Sequence, residues 1–462
     1  MAFSNKLADG FGKIIEQSPY TALDPIVKSN YISKGRNLIF GRSGNPEPRD
    51  LLYLGKVLET ATGSSLLGAD AYLDTSFPHV AYITGTRGSG KSMDLGVLLE
   101  GLNTLAAPSP ISLDVTPVST FLIDTQSQFW TLRYAPQGDE GARQLQQLAA
   151  WNLTPTPLAR TRIFVPPSAV SFMGDEVPLK LRPRDVLHEE WCGLLGQEVY
   201  SPQGHLLAEV LGKLTGRDFE VDEMIRLLRE GRFTTTIAET SRNVVIYRLV
   251  DYSRTELFSA NGISVEDLLV AGQCNIFMLR DLRDEDKALV TALLARQLFT
   301  IMGRYHQQRR VSDFFQKEAP GKKLPSRVWL LVDEAHVVCP SQGSSPARAA
   351  LVEYVKRGRD AGLSLVLATQ QPSAVDDRVL SQVNLSLSHR LTFQSDINAA
   401  IARIPTKILT EMRVSGTKVS DFGDILRLLE AGQCFIGDHA TSRAVLIQMR
   451  PRITAHGGQS PI

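Results

Sequence analysis

The chain has 462 residues, 43% of them hydrophobic and 21% charged, with 35 glycines and 24 prolines, which excludes disordered, collagen-like and coiled-coil classes. Fifty basic residues against 49 acidic ones leave a formal charge of +1, so the whole chain is no polycation, and any contact with nucleic acid or an anionic membrane must be local. The four cysteines, Cys192, Cys274, Cys339 and Cys434, fit neither a disulfide framework nor a CxxC metal pair; with no long apolar run, a cytoplasmic protein without signal peptide or membrane span is expected.

In chain order, residues 1–55 mix short apolar groups with Gly, Pro, Asn and Ser, as in GRSGNPEPRD (41–50), and read as an N-terminal accessory segment. A core follows over 56–182 and resumes over 261–462. Within it HVAYITG (79–85), TFLIDT (120–125), RIFVPP (162–167), NIFML (275–279), VWLLVDE (328–334) and LSLVLATQ (363–370) are apolar runs bounded by turn residues. That is the pattern of strands buried on both faces. Between them, Val221, Met224, Ile225 and Leu228, or Leu289, Leu293, Leu294 and Leu298, recur at helical spacing. The alternation predicts an α/β fold with a mostly parallel sheet. Residues 183–260 show helix patterns without a convincing strand and read as a helical insertion. The stretch 432–452 reads as a terminal hairpin.

The most informative run is Gly85-Thr86-Arg87-Gly88-Ser89-Gly90-Lys91-Ser92. It satisfies GxxxxGK[ST] and lies between a predicted strand and a predicted helix, the context a phosphate loop requires. Its backbone N–H groups and the following helix N-terminus would cradle phosphates, Lys91 would meet the β- and γ-phosphates of ATP, and Ser92 would ligate Mg²⁺. The strand 328–332 then delivers Asp333 and Glu334 to the carboxyl edge of the sheet, where ligands of open α/β sheets bind. Asp333 would hold Mg²⁺ through water and Glu334 would polarise the attacking water; alone, the pair equally fits an acidic helix N-terminus. Gln370 or Gln371, ending another strand, would sense the γ-phosphate or merely open the turn before Pro372. Lys356, Arg357 and Arg359 end a helix opened by Ser345-Pro346. They either complement its dipole or supply an arginine finger to a neighbouring subunit.

The ordered set ITGTRGSGKS, LIDTQSQF, LLVDEAH, KRGRDAGLSLVLATQQPS and RPRITAHGG resembles the HerA/FtsK class of RecA-like P-loop ATPases, most closely its HerA branch, over residues 51–457. The resemblance implies a RecA-like core and a hexameric ring that translocates double-stranded DNA, driven by ATP. It also implies a separate nuclease or effector partner, in DNA processing or antiphage defence. By matching motif it makes Glu334 catalytic, Arg359 the residue acting in trans with Arg357 a weaker candidate, Gln370 a sensor, and Asp124 an active-site carboxylate. Gln128 stands where members often carry an acid, and the N-terminal stretch is too short for the β-barrel of archaeal HerA.

Arg304, Arg309, Arg310, Lys317, Lys322, Lys323 and Arg327 face only Asp313 and Glu318 between residues 304 and 327. Repeated around a ring, this segment would offer sequence-independent phosphate contacts; in isolation it equally fits a solvated loop. The eight histidines are scattered, which predicts no structural zinc, and His336 is as consistent with capping a strand end as with touching nucleotide. Two readings remain open beside the motor: an ATP-gated scaffold for a partner effector, and a conjugation-type translocation ATPase.

Overall fold

The computed structural model describes residues 31–32, 37–42, 49–58, 60–61, 64–65, 68–171, 173–234, 237–318, 321–405, 412–414, 417–419, 422–440 and 443–457. The larger part of the N-terminal accessory segment therefore lies outside the described residues. The strands that organise the chain are β1 (Asn37–Phe40), β2 (Leu51–Val57), β3 (Asp70–Asp74), β4 (Val80–Thr84), β5 (Ser119–Asp124), β6 (Thr161–Val165), β7 (Cys274–Met278), β8 (Val328–Val332), β9 (Leu363–Thr369), β10 (Leu385–Ser388), β11 (Gln433–Asp438) and β12 (Arg443–Met449). With short strands at 31–32, 112–113 and 177–178 they form one 15-stranded sheet, in which these twelve run in the order β1-β3-β2-β12-β11-β10-β4-β9-β8-β5-β7-β6.

From β10 to β6 the neighbours are all parallel. The α/β fold with a mostly parallel sheet expected from the alternation of strands and helices is what the chain adopts. Neighbouring residues of one strand point to opposite faces. Leu330 and Val332 join one apolar core with Phe121, Phe164 and Phe277, while Trp329 and Leu331 join the other with Leu122 and Val366. Both faces are thus covered, which is why these strands read as unbroken apolar runs.

The first face packs against α3 (His188–Leu194), α4 (Pro202–Leu214), α5 (Val221–Glu230), α6 (Glu239–Arg254), the 31-residue α7 (Asp284–Phe314) and α8 (Pro346–Arg357). The second takes α1 (Lys91–Leu102), buried along almost its whole length. A thirteen-residue helix, α2 (Gly138–Ala150), lies outside both cores except for Leu148, which joins a small satellite cluster. Among the described residues no helix is long and apolar enough to cross a membrane.

Two features differ from the sequence reading. The accessory segment is not separate where it is described: β1 and β2 pair with β3, and β2 with β12, so this stretch extends the main sheet. Leu385–Ser388 is also a strand, parallel to β4. Its serines interrupt the apolar pattern, yet Ser386 and Ser388 are buried. The tail does form the expected hairpin, with β11 antiparallel to both β10 and β12.

Candidate functional site

All the parallel strands end at one edge, and the turns leaving β4, β8 and β9 there bring the motifs together. A cavity of about 640 Å³ is lined by Gly88, Lys91, Ser92, Asp333, Glu334 and Gln370, among others. The loop 85–90 follows β4 directly, and its geometry needs glycine: Gly88 and Gly90 have φ of 75° and 132°, which side-chain-bearing residues rarely adopt. A Cβ on Gly85 would come 2.7 Å from the Cβ of His389, and one on Gly90 would come 2.9 Å from its ring. His389 is therefore the floor on which the loop is moulded.

Lys91 is buried and its ammonium donates to the Thr86 carbonyl at 3.0 Å. Burial lowers its pKa, opposed by Glu334, Asp333 and Asp94. Asp333 is wholly enclosed, and its carboxyl is pushed well up by desolvation, then by Glu334 and Asp124. A carboxylate so placed fits a divalent cation, since a positive charge between it and the Ser92 hydroxyl would relieve both burial and repulsion. Glu334 has φ of 51°, a left-handed conformation unusual outside glycine and of the kind that concentrates at functional sites. Its carboxylate accepts from the Gln370 backbone N–H at 3.3 Å and from the Gln370 side-chain amide. Nδ1 of His336 lies 3.4 Å away and also meets the Thr369 hydroxyl at 3.0 Å. Burial lowers the His336 pKa, against the pull of Glu334.

Asp124 sits differently. It is fully buried at the end of β5, accepts from the N–H groups of Phe129 at 2.8 Å and Gln126 at 3.3 Å, and has its carboxyl pushed up to about 6 by desolvation. It anchors the turn after β5, and what that turn presents to the cavity is Gln126 and Gln128. Arg359 does not join the site at all. It is exposed just before the start of β9, at the sheet edge opposite Gln370, a strand length of roughly 20 Å away. Arg357 is exposed too and meets Glu353 at 3.4 Å. Gln371, the alternative to Gln370, donates its backbone N–H to the Thr369 hydroxyl.

Beyond the motif residues, Asp94, in the first turn of α1, pairs with His389 at 2.7 Å with both side chains fully enclosed. The other ring nitrogen of His389 lies 2.9 Å from the Gln433 carbonyl, so α1 is joined through one imidazole to β11. Cys434 brings a third donor atom within 4.8 Å of those of Asp94 and His389. Both ring nitrogens are already engaged, one by the Asp94 carboxylate and the other by the Gln433 carbonyl. A lone histidine in LSLSHRL gives no spacing signal, and only its place beneath the loop identifies it.

The basic segment is partly redrawn. Arg304, Arg309, Arg310, Lys317, Lys322 and Lys323 are exposed on and after the end of α7, beside Phe314 and Phe315 at 81% and 61% exposure. Arg327 is not one of them. It is buried and pairs with Asp50 at 2.8 Å, a partner so distant in sequence that residue type alone could not reveal it.

No protein-family profile matches the chain. Two curated relatives are DNA double-strand break repair helicases HerA: that of Sulfurisphaera tokodaii is 22% identical over 186 residues, 40% of this chain and 35% of the relative. That of Pyrococcus furiosus is 23% identical over 189 residues, 36% of this chain and 34% of the relative. The match thus spans about a third of the length of either relative. Among solved structures, VirB4 of Thermoanaerobacter pseudethanolicus aligns with a TM-score of 0.49 and 15% identity over 88% of this chain and 98% of its own. The resemblance carried by the motifs is borne out: the chain is similar to HerA proteins of the HerA/FtsK-type P-loop ATPase superfamily.

Proposed function

We propose that this chain is an ATP-hydrolysing motor that moves double-stranded DNA, working as a hexameric ring beside a separate nuclease or effector. The observation that carries the reading is the convergence of Lys91, Ser92, Asp333, Glu334 and Gln370 on one cavity at the carboxyl edge of the sheet. The backbone N–H groups of the 85–90 loop and Lys91 would bind the phosphates of ATP. Ser92 and Asp333 would hold Mg²⁺, which supplies neutralisation of the phosphate charge. Glu334 would orient the attacking water and accept its proton. Because Gln370 holds the Glu334 carboxylate, a γ-phosphate that engages the amide would free the carboxylate for the water.

A further cation beside the γ-phosphate would complete the charge balance of the reaction. Arg359 would supply it from a neighbouring subunit, stabilising the charge that develops on the transferred phosphoryl group. The names of the relatives, DNA repair helicases, and the exposed cations after α7 support duplex DNA as the track. Steady-state ATP hydrolysis with and without linear duplex DNA, repeated across salt concentrations, tests the reading. Stimulation that fades steeply with salt is expected; turnover indifferent to DNA would overturn the motor and favour an ATP-gated scaffold.

A further inference from the structure

The long helix α7 changes character along its length. As far as Tyr305 it buries one side after another against the first face of the sheet, but beyond Tyr305 only Ser312 is buried. The last two turns, roughly 12 Å of helix, therefore face solvent on nearly every side. Phe314 and Phe315 stand there at 81% and 61% exposure, their rings edge to face with centroids 5.1 Å apart, and Val311 is 52% exposed. Residues three, four and seven apart share a helix face. Gln307, Arg310 and Phe314 thus form one exposed stripe, and Gln308, Val311 and Phe315, which caps the helix, form the stripe beside it.

Two large rings left in water mark a surface that something else covers, and the charge around them indicates what. Arg304, Arg309, Arg310, Lys317, Lys322 and Lys323 are all exposed, against Asp313 and Glu318, and the Lys317 ammonium lies 5.8 Å from the centre of the Phe315 ring. A contact between proteins gathers its apolar residues into a core from which charge is depleted. Here cations are interleaved with the rings turn by turn, the opposite arrangement. A strand of nucleic acid presents both complements at once, phosphates for the cations and base faces for the rings. An intact duplex presents phosphates and base edges only, because its bases are stacked on one another.

We infer that the end of α7 is a contact for unpaired bases, in which Phe314 and Phe315 stack on bases of single-stranded DNA while Arg310 and Lys317 hold the flanking phosphates. Gln307 and Gln308, two turns earlier on the same stripes, offer amides to phosphates or base edges without a fixed sequence preference. The inference rests on the reading that DNA is the track, and it narrows what this element touches to the single strands at a duplex end or junction. Stacking tolerates any base, since every base has a face, so the contact suits a protein that moves along DNA of arbitrary sequence.

The test compares two probes in filter binding to the full chain: a single-stranded oligothymidylate, and a relaxed, covalently closed circular duplex in which no base is unpaired. Phe314→Ala combined with Phe315→Ala, at positions so exposed that folding is not at stake, should weaken oligothymidylate binding about tenfold or more, the range for loss of base stacking. The salt dependence should keep its slope, because no phosphate contact is removed, and affinity for the closed duplex should stay within twofold. Phe314→Trp should retain the affinity and show indole fluorescence quenched by the oligonucleotide. Arg310→Ala with Lys317→Ala should instead weaken both probes and flatten both salt dependences. Equal losses for the two probes on removing the rings, no loss for the single strand, or a fall in assembled mass that marks the rings as a contact between copies would each overturn the inference while the DNA motor stood. Wild-type protein that bound neither probe would overturn both.

Discussion

The two edges of the parallel sheet contrast in how much of their chemistry the chain completes by itself. At the carboxyl edge, Lys91, Asp333 and Glu334 are buried, and Glu334 is held by Gln370 from the end of β9. At the amino edge, Arg359 is exposed, and the cations that follow α7 stand in solvent beside Phe314 and Phe315. Burial at the first edge costs desolvation, which the neighbouring opposite charges offset in part and a bound ligand of complementary charge would offset further. Exposure at the second leaves flexible cations whose worth depends on what is brought to them. On the proposed reading the first edge takes a small ligand and the second another macromolecule or another copy of the chain.

The contrast can be broken most forcefully at its weakest point. Arg359→Ala should lower ATP hydrolysis by the assembled protein about 1,000-fold, the lower range for an arginine finger, while nucleotide affinity of the isolated chain stays unchanged. Full activity of the assembled variant would remove that role from the amino edge. Glu334→Gln should cost roughly 100-fold or more in turnover, as loss of a general base does, and retain bound ATP in a filter or calorimetric assay. Lys91→Ala should weaken ATP binding by roughly 10- to 100-fold through loss of charge-assisted hydrogen bonds, with the melting temperature of the free protein little altered. Replacing Arg310, Lys322 and Lys323 together by alanine should leave DNA-independent turnover intact and flatten the log–log salt dependence of DNA binding by about one unit for each phosphate no longer neutralised.

The smallest effect concerns Asp124, whose carboxyl is raised from 3.8 to about 6. A raised folded-state pKa gives stability that is present below the unfolded value and is lost as pH climbs through the folded value. Asp124→Asn should therefore flatten the decline in stability between about pH 4 and pH 6, an effect on the order of 3 kcal/mol, seen as melting temperature against pH. A fall in hydrolysis far exceeding any loss of stability would instead place Asp124 in the reaction.

How much of the molecule is legible in its sequence follows from burial. Strands covered on both faces must be apolar throughout, so β4, β5, β6, β7, β8 and β9 stand out, and the phosphate loop announces itself through glycines that its backbone needs. β10 does not, because Ser386 and Ser388 are buried within the sheet, where Ser388 meets the Thr84 hydroxyl. The short β1 and β3 are flanked by Gly, Asn and Ser and become strands through pairing with β2 and each other rather than through their own pattern. At the site, Lys91, Asp333 and Glu334 are readable as motifs, whereas His389 beneath the loop, His336 against Glu334 and Trp151 in the cavity lining are single residues. Neighbours brought from distant parts of the chain define them, and nothing in their local sequence encodes such approach. Arg327 shows the converse: a cation that resembles its exposed neighbours in sequence is paired with Asp50 in the fold.

Hydrolysis that needs the carboxyl edge of one subunit and the amino edge of the next is tested most directly by mixing two defective proteins. One is Lys91→Ala, impaired in its own nucleotide site but carrying Arg359; the other is Arg359→Ala, whose nucleotide site is intact. Each variant alone is expected to be nearly inactive, and the mixture, after subunit exchange, to recover a substantial fraction of wild-type turnover. A mixture no more active than the sum of its separate components, with co-assembly verified by mass, would contradict a site shared between subunits.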